Sequence, residues 1–304
     1  MASLILKRLA ESFLSLICLV CAVFFAARLT GEPGKLYLPL TATDEVVEAF
    51  NRQHGFDQPI WKQFLDFVVG LTRLDFGESL RRQQPALSAA LEAYPATLSL
   101  VAVTMVVAFL ISTLLGCLAA FRPGSIFDRL STGLAVSAAS FPDFWLALMG
   151  VLVFSVGLHW LPTSGTGTWL HWVLPVTVLM MRPLGSLVQV VRGSMIDVLS
   201  SAYMAAARGR GIPVWRQLFI HALRNASLPA LTVLGIQAAA FLNGAVIVET
   251  IFGWPGIGRL MITAIFDRDF PVVQATVVVT AVSIFLLNLV VDVLYGVIDP
   301  RIRL

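Results

Sequence analysis

Charge is what this chain has least of. Asp, Glu, Lys and Arg make up 13% of its 304 residues, against 58% hydrophobic residues. Soluble globular domains carry about 25% charged and roughly 45–50% apolar residues. A chain this long and this apolar cannot hide its hydrophobic surface in one water-soluble core. The formal net charge is +3, which lacks the concentrated basic face that nucleic-acid binding requires. Cysteine is scarce as well. Cys18, Cys21 and Cys117 all sit inside apolar runs. The Cys18–Cys21 pair has C-x-x-C spacing, but within a membrane-length run it reads as filler, and no disulfide framework is expected.

Catalytic and nucleotide-binding patterns are missing too. There is no G-x-x-x-x-G-K-[ST] loop to cradle ATP phosphates and no H-E-x-x-H or G-x-S-x-G pattern. His54, His159, His171 and His221 fall in four different segments. The chain is therefore expected to be no enzyme and to hold no metal or cofactor of its own.

Long apolar runs are what is there. A bilayer core takes about 20 mostly apolar residues per helix, and six stretches qualify: Leu9–Leu29, Ala96–Phe121, Leu130–Leu158, Trp169–Val191, Leu228–Phe252 and Val272–Ile298. The first is longer than the core of a secretory signal and reads as a retained helix. The expected fold is all-α and polytopic, with six transmembrane helices. Residues 1–95 would supply the first helix and an external loop. Residues 96–304 would supply a five-helix core with a cytoplasmic loop at about 192–228. Compact basic clusters sort to the cytoplasm. That places Lys7, Arg8, Arg122, Arg129, Arg192, Arg208, Arg210, Arg216, Arg224, Arg301 and Arg303 inside, with both termini. The loop from Thr30 to Tyr94 then lies outside, and in it acids outnumber bases.

The polar segments carry more information than the spans. In the external loop, Asp44–Arg52 has helical character with Val46, Val47 and Phe50 on one side. A second amphipathic segment after Pro59 presents Trp61, Phe64, Leu65 and Val68. Both are expected to lie on the membrane or cap the bundle, or to form a docking surface for an external partner. The cytoplasmic loop from Arg192 to Ser227 is helical by composition and broken at Gly209–Gly211 and Pro213. Glycine frees the backbone there and proline can restart a helix. Ala205, Ala206 and Ala207 make a small, smooth surface suited to a groove in another protein. Arg208 and Arg210 could pair with acids at its rim. The alternative is a solvated amphipathic loop. The last external connection contains Gly253, Trp254, Pro255, Gly256 and Gly258, which interrupt a helix. Phe252 and Trp254 suit a membrane interface.

These loops resemble the permease subunits of binding-protein-dependent ABC importers, specifically the dipeptide/oligopeptide/nickel branch. Ala206, Ala207 and Gly211 take alanine and glycine places of that superfamily's coupling loop. Ala205 stands where its glutamate would be, and Leu228–Pro229 takes the closing Leu-Pro place. Further matches are HALRNASLP (His221–Pro229), GAVIVETIFGWPGIGRL (Gly244–Leu260), RDFPVVQ (Arg268–Gln274) and DPRIR (Asp299–Arg303). Weaker ones are FDQPIWKQ (Phe56–Gln63), LDFGESL (Leu74–Leu80), PATLSL (Pro95–Leu100) and GSIFDR (Gly124–Arg129). The resemblance covers nearly the whole chain. It implies a type I importer permease fold in the bacterial inner membrane. It implies two cytoplasmic ATPase subunits that bind ATP and Mg, a second homologous permease and an external or periplasmic substrate-binding protein. The loop Tyr203–Gly211 would dock in the ATPase cleft, and ATP binding would switch the pathway by rigid-body movement.

Ionisable groups within the membrane are functional suspects. Asp143, in FPDFW, departs from the family's small or uncharged residue; it is expected either to line the pathway and favour a cationic or amine-bearing substrate, or to be a protonated or paired structural aspartate near a proline break. Glu249 is a second pathway candidate, with a hydrogen bond to the glycine-rich turn as its other reading. Arg182, Pro183 and Asp292 read as packing partners or anchors. An ion-coupled secondary transporter is the competing function, although that class usually shows internal repeats. The branch serves peptides, nickel or metal chelates and opine-like compounds. The short His159–Trp169 link leans towards a small or chelated ligand.

Overall fold

A computed structural model describes residues 2–29, 38, 41–79 and 81–298, with side chains described over 10–26, 38, 41–79 and 81–291. The side chains of Lys7, Arg8 and Asp292, the start of the external loop, and the Asp299–Arg303 motif with Arg301 and Arg303 lie outside these residues. The elements run α1 (Ala2–Leu29), α2 (Asp44–Gln53), α3 (Ile60–Thr72), β1 (Glu78–Ser79), β2 (Gln84–Pro85), α4 (Ala86–Phe121) and α5 (Ile126–Ala139). They continue as α6 (Asp143–Gly157), α7 (Leu170–Leu199), α8 (Ala202–Gly209), α9 (Val214–Ile251), α10 (Ile257–Phe266) and α11 (Phe270–Ile298). The two strands form one antiparallel pair, Glu78 opposite Pro85.

All six apolar stretches fall on helices. Four of them, in α4, α7, α9 and α11, are long and apolar enough to cross a membrane. In α1 the apolar stretch is Ala10–Ala26. The third stretch differs from expectation. It is not one straight span but two arms, α5 and α6, bent by 105°. Pro142 explains the break, because it has no N–H to give and drives Phe141 out of the helical region. The helix restarts at Asp143 behind Pro142 at φ −63°, ψ 138°. Asp143 therefore sits at a corner rather than within a continuous helix.

The described residues form two compact units. The first draws on the described residues of 1–95 and on Gly256–Leu289. Phe24 of α1 packs its ring 5.3 Å from Phe64 and 5.4 Å from Phe67 of α3. Both external amphipathic helices are present, but their faces are narrower than the sequence suggested. Val47 is buried while Val46 is exposed. On α3, Phe64, Phe67, Val68 and Leu71 turn inward at helical spacing, whereas Trp61 and Leu65 stay exposed. Behind them Phe76, Ala89 and Ala90 pack with Leu260, Ala264 and Val272. The Ser79 hydroxyl donates to the buried Asp269 carboxylate and ties β1 to the start of α11.

The second unit draws on Ala96–Pro255 and, among the described residues, on 290–298. Its centre is α7. Of its most apolar window 61% is buried, against 28% for α4 and for α9. Lipid offers helices no hydrophobic reason to associate, so close backbone approach matters more. Gly185 supplies it, since a Cβ there would stand 2.8 Å from the Ala135 carbonyl oxygen on α5. A bidentate ion pair joins the same two helices. Asp128 on the first turn of α5 accepts from Arg192 Nε at 2.5 Å and from Nη2 at 2.7 Å. The Gly124 N–H adds a bond at 2.7 Å to the same carboxylate. Ser125 caps α5 by accepting from the Asp128 N–H. Gly185→Ala should force α5 and α7 apart and cost about 1–3 kcal/mol, the usual range for overpacking. Thermal unfolding of the detergent-purified protein checks this, and an unchanged midpoint would show that the approach is not tight.

Candidate functional site

Two places in the second unit gather the residues singled out from sequence. The first is the connection between α7 and α9. It is shorter than the polar loop read from the sequence, because α7 continues to Leu199 and α9 begins at Val214. Between them lies the two-turn helix α8. Its residues alternate in fate. Met204 and Ala207 are buried, where Met204 joins Cys117 and Ala120 of α4, Val191 and Met195 of α7 and Leu218 of α9 in one cluster. Tyr203, Ala205, Ala206, Arg208, Gly209 and Arg210 are exposed. The three alanines thus divide, two facing out and Ala207 holding the helix to its own core.

Gly211 ends α8. It adopts φ 70°, the left-handed conformation that costs an L side chain roughly 1–2 kcal/mol. Its N–H donates to the Arg208 carbonyl at 2.9 Å, and the Ile212 N–H donates to the Ala207 carbonyl at 3.3 Å. This paired closure is a Schellman motif. Arg208 is engaged as well, donating to the Leu199 carbonyl at the end of α7. Its guanidinium caps that helix, where cations are favoured. Arg210 makes no hydrogen bond or ion pair among the described residues. Tyr203 Oη accepts from the Asn225 amide of α9 at 3.1 Å, and Gln217 donates to the Ile212 carbonyl at 2.6 Å. The helix is therefore fastened at both ends, with a small outer face of Ala205 and Ala206 flanked by Tyr203 and Arg210.

The second place is a cavity of about 370 Å³ between α6, α7 and α9. Leu179, Arg182 and Pro183 line it from one face of α7. Gln237, Phe241 and Gly244 line it from one face of α9, and Asp143 closes the corner. The spacings of three, four and seven residues put each set on a single helix face. Arg182, expected as a packing partner or anchor, lines this cavity instead.

Glu249 does not line the cavity. It is fully buried, and its Oε1 accepts from Thr97 Oγ1 at 2.5 Å. Near it α9 ends in a second glycine-closed turn, with the Trp254 N–H donating to the Glu249 carbonyl at 2.9 Å. Phe252 and Trp254 are buried rather than displayed at an interface. Trp254 donates its indole N–H to the Ala96 carbonyl at 2.9 Å and stacks edge-on against Trp172 at 4.5 Å. Pro255 is exposed. Gly256 precedes α10, which includes Gly258 within its helical run. Sequence reading missed Asp128, Thr97 and Ser79. The acid in the GSIFDR match was the available signal for Asp128. Nothing in the sequence paired Thr97 with Glu249, 152 positions away.

A polytopic helical bundle that carries a fastened small-faced helix at one end of α7 and a cavity midway along it has the architecture of a transport subunit. The chain belongs to the family described as binding-protein-dependent transport system inner membrane component, whose model matches residues 112–304. It is an ABC importer permease and not an enzyme; ATP hydrolysis is the work of separate ATPase subunits. Such a permease works with an ATPase and a substrate-binding protein and is a multi-pass inner-membrane component. Among similar proteins is the glutathione transport system permease protein GsiC of Escherichia coli K12, 37% identical over 304 residues, covering 100% of this chain and 99% of that one. GsiC of Shigella flexneri serotype 5b matches equally, at 37% over the same coverage. A crystal structure of an amino acid ABC transporter with histidines shares the fold, with a TM-score of 0.50 at 16% identity over 71% of this chain and 94% of that one. These matches give an ion-coupled carrier no support.

Gly211→Val should strain the α8 closure by about 1–2 kcal/mol and reduce ATP turnover stimulated by the loaded binding protein, with little loss of folded protein because nothing lies within 4 Å of the added Cβ. Stimulated turnover equal to the parent protein would show that the closure does not govern coupling.

Proposed function

We propose that this permease carries small peptides of the glutathione kind into the cell. One observation carries the reading: 37% identity to GsiC runs along the full length of both chains. The short His159–Trp169 link leans towards a small or chelated ligand, and the likeness to GsiC supports a small peptide as that ligand. A cavity with both an acidic and a basic side chain also suits a cargo that has an ammonium and carboxylates.

The working complex in this reading has a second homologous permease, two ATPases that bind ATP and Mg on the cytoplasmic side, and an external or periplasmic binding protein that delivers the peptide. Both termini and α8 face the cytoplasm, following the basic residues. The Tyr203–Gly211 segment seats in an ATPase cleft, with Ala205 and Ala206 as the close-contact surface and Arg210 as the charge offered to its rim. Closure of the ATPase pair moves α8, and through Met204 and Ala207 it moves α7 and α9. The pathway then opens outward, which is alternating access by rigid-body movement.

Transport by the assembled complex in liposomes, with its own binding protein on the outside and ATP within, tests this. ATP-dependent accumulation of labelled glutathione or a short peptide is expected. Accumulation of nickel with no peptide uptake would contradict it.

A further inference from the structure

Charged and polar groups in the second unit are mostly matched. Asp128 has Arg192, and Glu249 has Thr97. Asp143 and Arg182 are different. Both line the cavity between α6, α7 and α9, and neither makes a hydrogen bond or a salt bridge among the described residues, with each other or with anything else. Arg182 lies mid-way along the apolar helix α7 and Asp143 at the corner of a broken span. An unpaired charge at such depth is costly, and membrane proteins keep one there for a pathway or a ligand. The two opposite charges act on each other across the cavity without a hydrogen bond or ion pair between them, which leaves room for something in between.

The rest of the lining agrees. Gln237 donates its amide to Ser186 Oγ at 3.2 Å, which orients the side chain and leaves its carbonyl oxygen without a partner among the described residues. Gly244 keeps the space open, since a Cβ there would stand 3.8 Å from Asp143 Oδ2 and 3.0 Å from Leu179 Cδ1. The volume of about 370 Å³ lies within the usual range of small-ligand sites.

We propose that this cavity is a recognition site for a zwitterion within the permease. Asp143 takes the ammonium group, Arg182 takes a carboxylate in a charge-assisted pair, and Gln237 accepts from an amide N–H between them. The site thus selects peptides with both ends free, after the binding protein has released them. This deepens the small-peptide reading and rests on it for the identity of the cargo.

The test measures equilibrium binding to the assembled permease–ATPase complex, purified without its binding protein. The probes are labelled alanyl-alanine, its N-acetyl form and its C-terminal amide. The complex should bind the free dipeptide, and each blocked form about 10- to 100-fold more weakly, the loss expected for one charged hydrogen bond. Asp143→Asn should no longer distinguish the free from the N-acetyl form, and Arg182→Gln should no longer distinguish the free form from the amide. Gly244→Leu, which fills the cavity while leaving both charged groups in the chain, should abolish binding of all three. Equal binding of free and blocked forms by the parent complex, or no binding of any, overturns the proposal even if every variant misfolds. So does a uniform weakening of all three probes in Asp143→Asn and Arg182→Gln. If the end-group pattern is found but liposomes accumulate no peptide, the small-peptide reading fails and the zwitterion site stands. If peptide is accumulated but blocked ends make no difference to binding, the reverse holds.

Discussion

The second unit depends on the burial of α7. A helix in lipid gains nothing by leaving apolar surroundings, so it stays at the centre of a bundle only if its neighbours can come close and its polar groups find partners. Both conditions are met along a single helix. Gly185 lets the α5 backbone approach. About two turns further on, Arg192 donates to both oxygens of Asp128 on the same neighbour. At its end, the Leu199 carbonyl is capped by Arg208 of α8. Steric fit, ion pair and cap together bind α5, α7 and α8 into one piece.

Function follows from what that piece carries. One end holds the helix whose small outer face suits another protein. The middle holds Arg182 at the cavity. A push on α8 cannot be absorbed locally, because Met204 is wedged among α4, α7 and α9 and the Gly211 closure and the Tyr203–Asn225 bond hold the helix at both ends. In the proposed mechanism that push passes to α7 and α9, which line the cavity. The matched acids, Asp128 and Glu249, stabilise this frame. Asp143 and Arg182, which line the cavity without an ion pair between them, are the pair proposed to meet the cargo.

The helices themselves were legible from sequence because a membrane span needs only length and apolarity, which composition shows directly. The glycine-broken loop was legible because Gly211 and Pro213 allow few backbone paths. What could not be read was which side of each short helix turns inward. On α8, three consecutive alanines look alike in sequence, and only the packing of Met204 beside Ala207 separates the buried one from the exposed two. On α3, Trp61 and Leu65 are as apolar as Phe64 and Phe67, and the position of Phe24 decides between them. Long-range polar pairs such as Thr97 with Glu249 leave no local pattern. The break in the third stretch was visible as Pro142, but a proline alone does not distinguish a kink from a 105° corner.

The central claim is that α8 and α7 move as one body when ATPases close. Spin labels at Ala202 on α8 and Gln189 on α7, both exposed, report it directly by pulsed dipolar spectroscopy on the assembled complex. The account predicts a narrow distance distribution with the same mean in the nucleotide-free and ATP-bound states. A shift or broadening on ATP binding would mean that α8 swings on a flexible tether, and would contradict it.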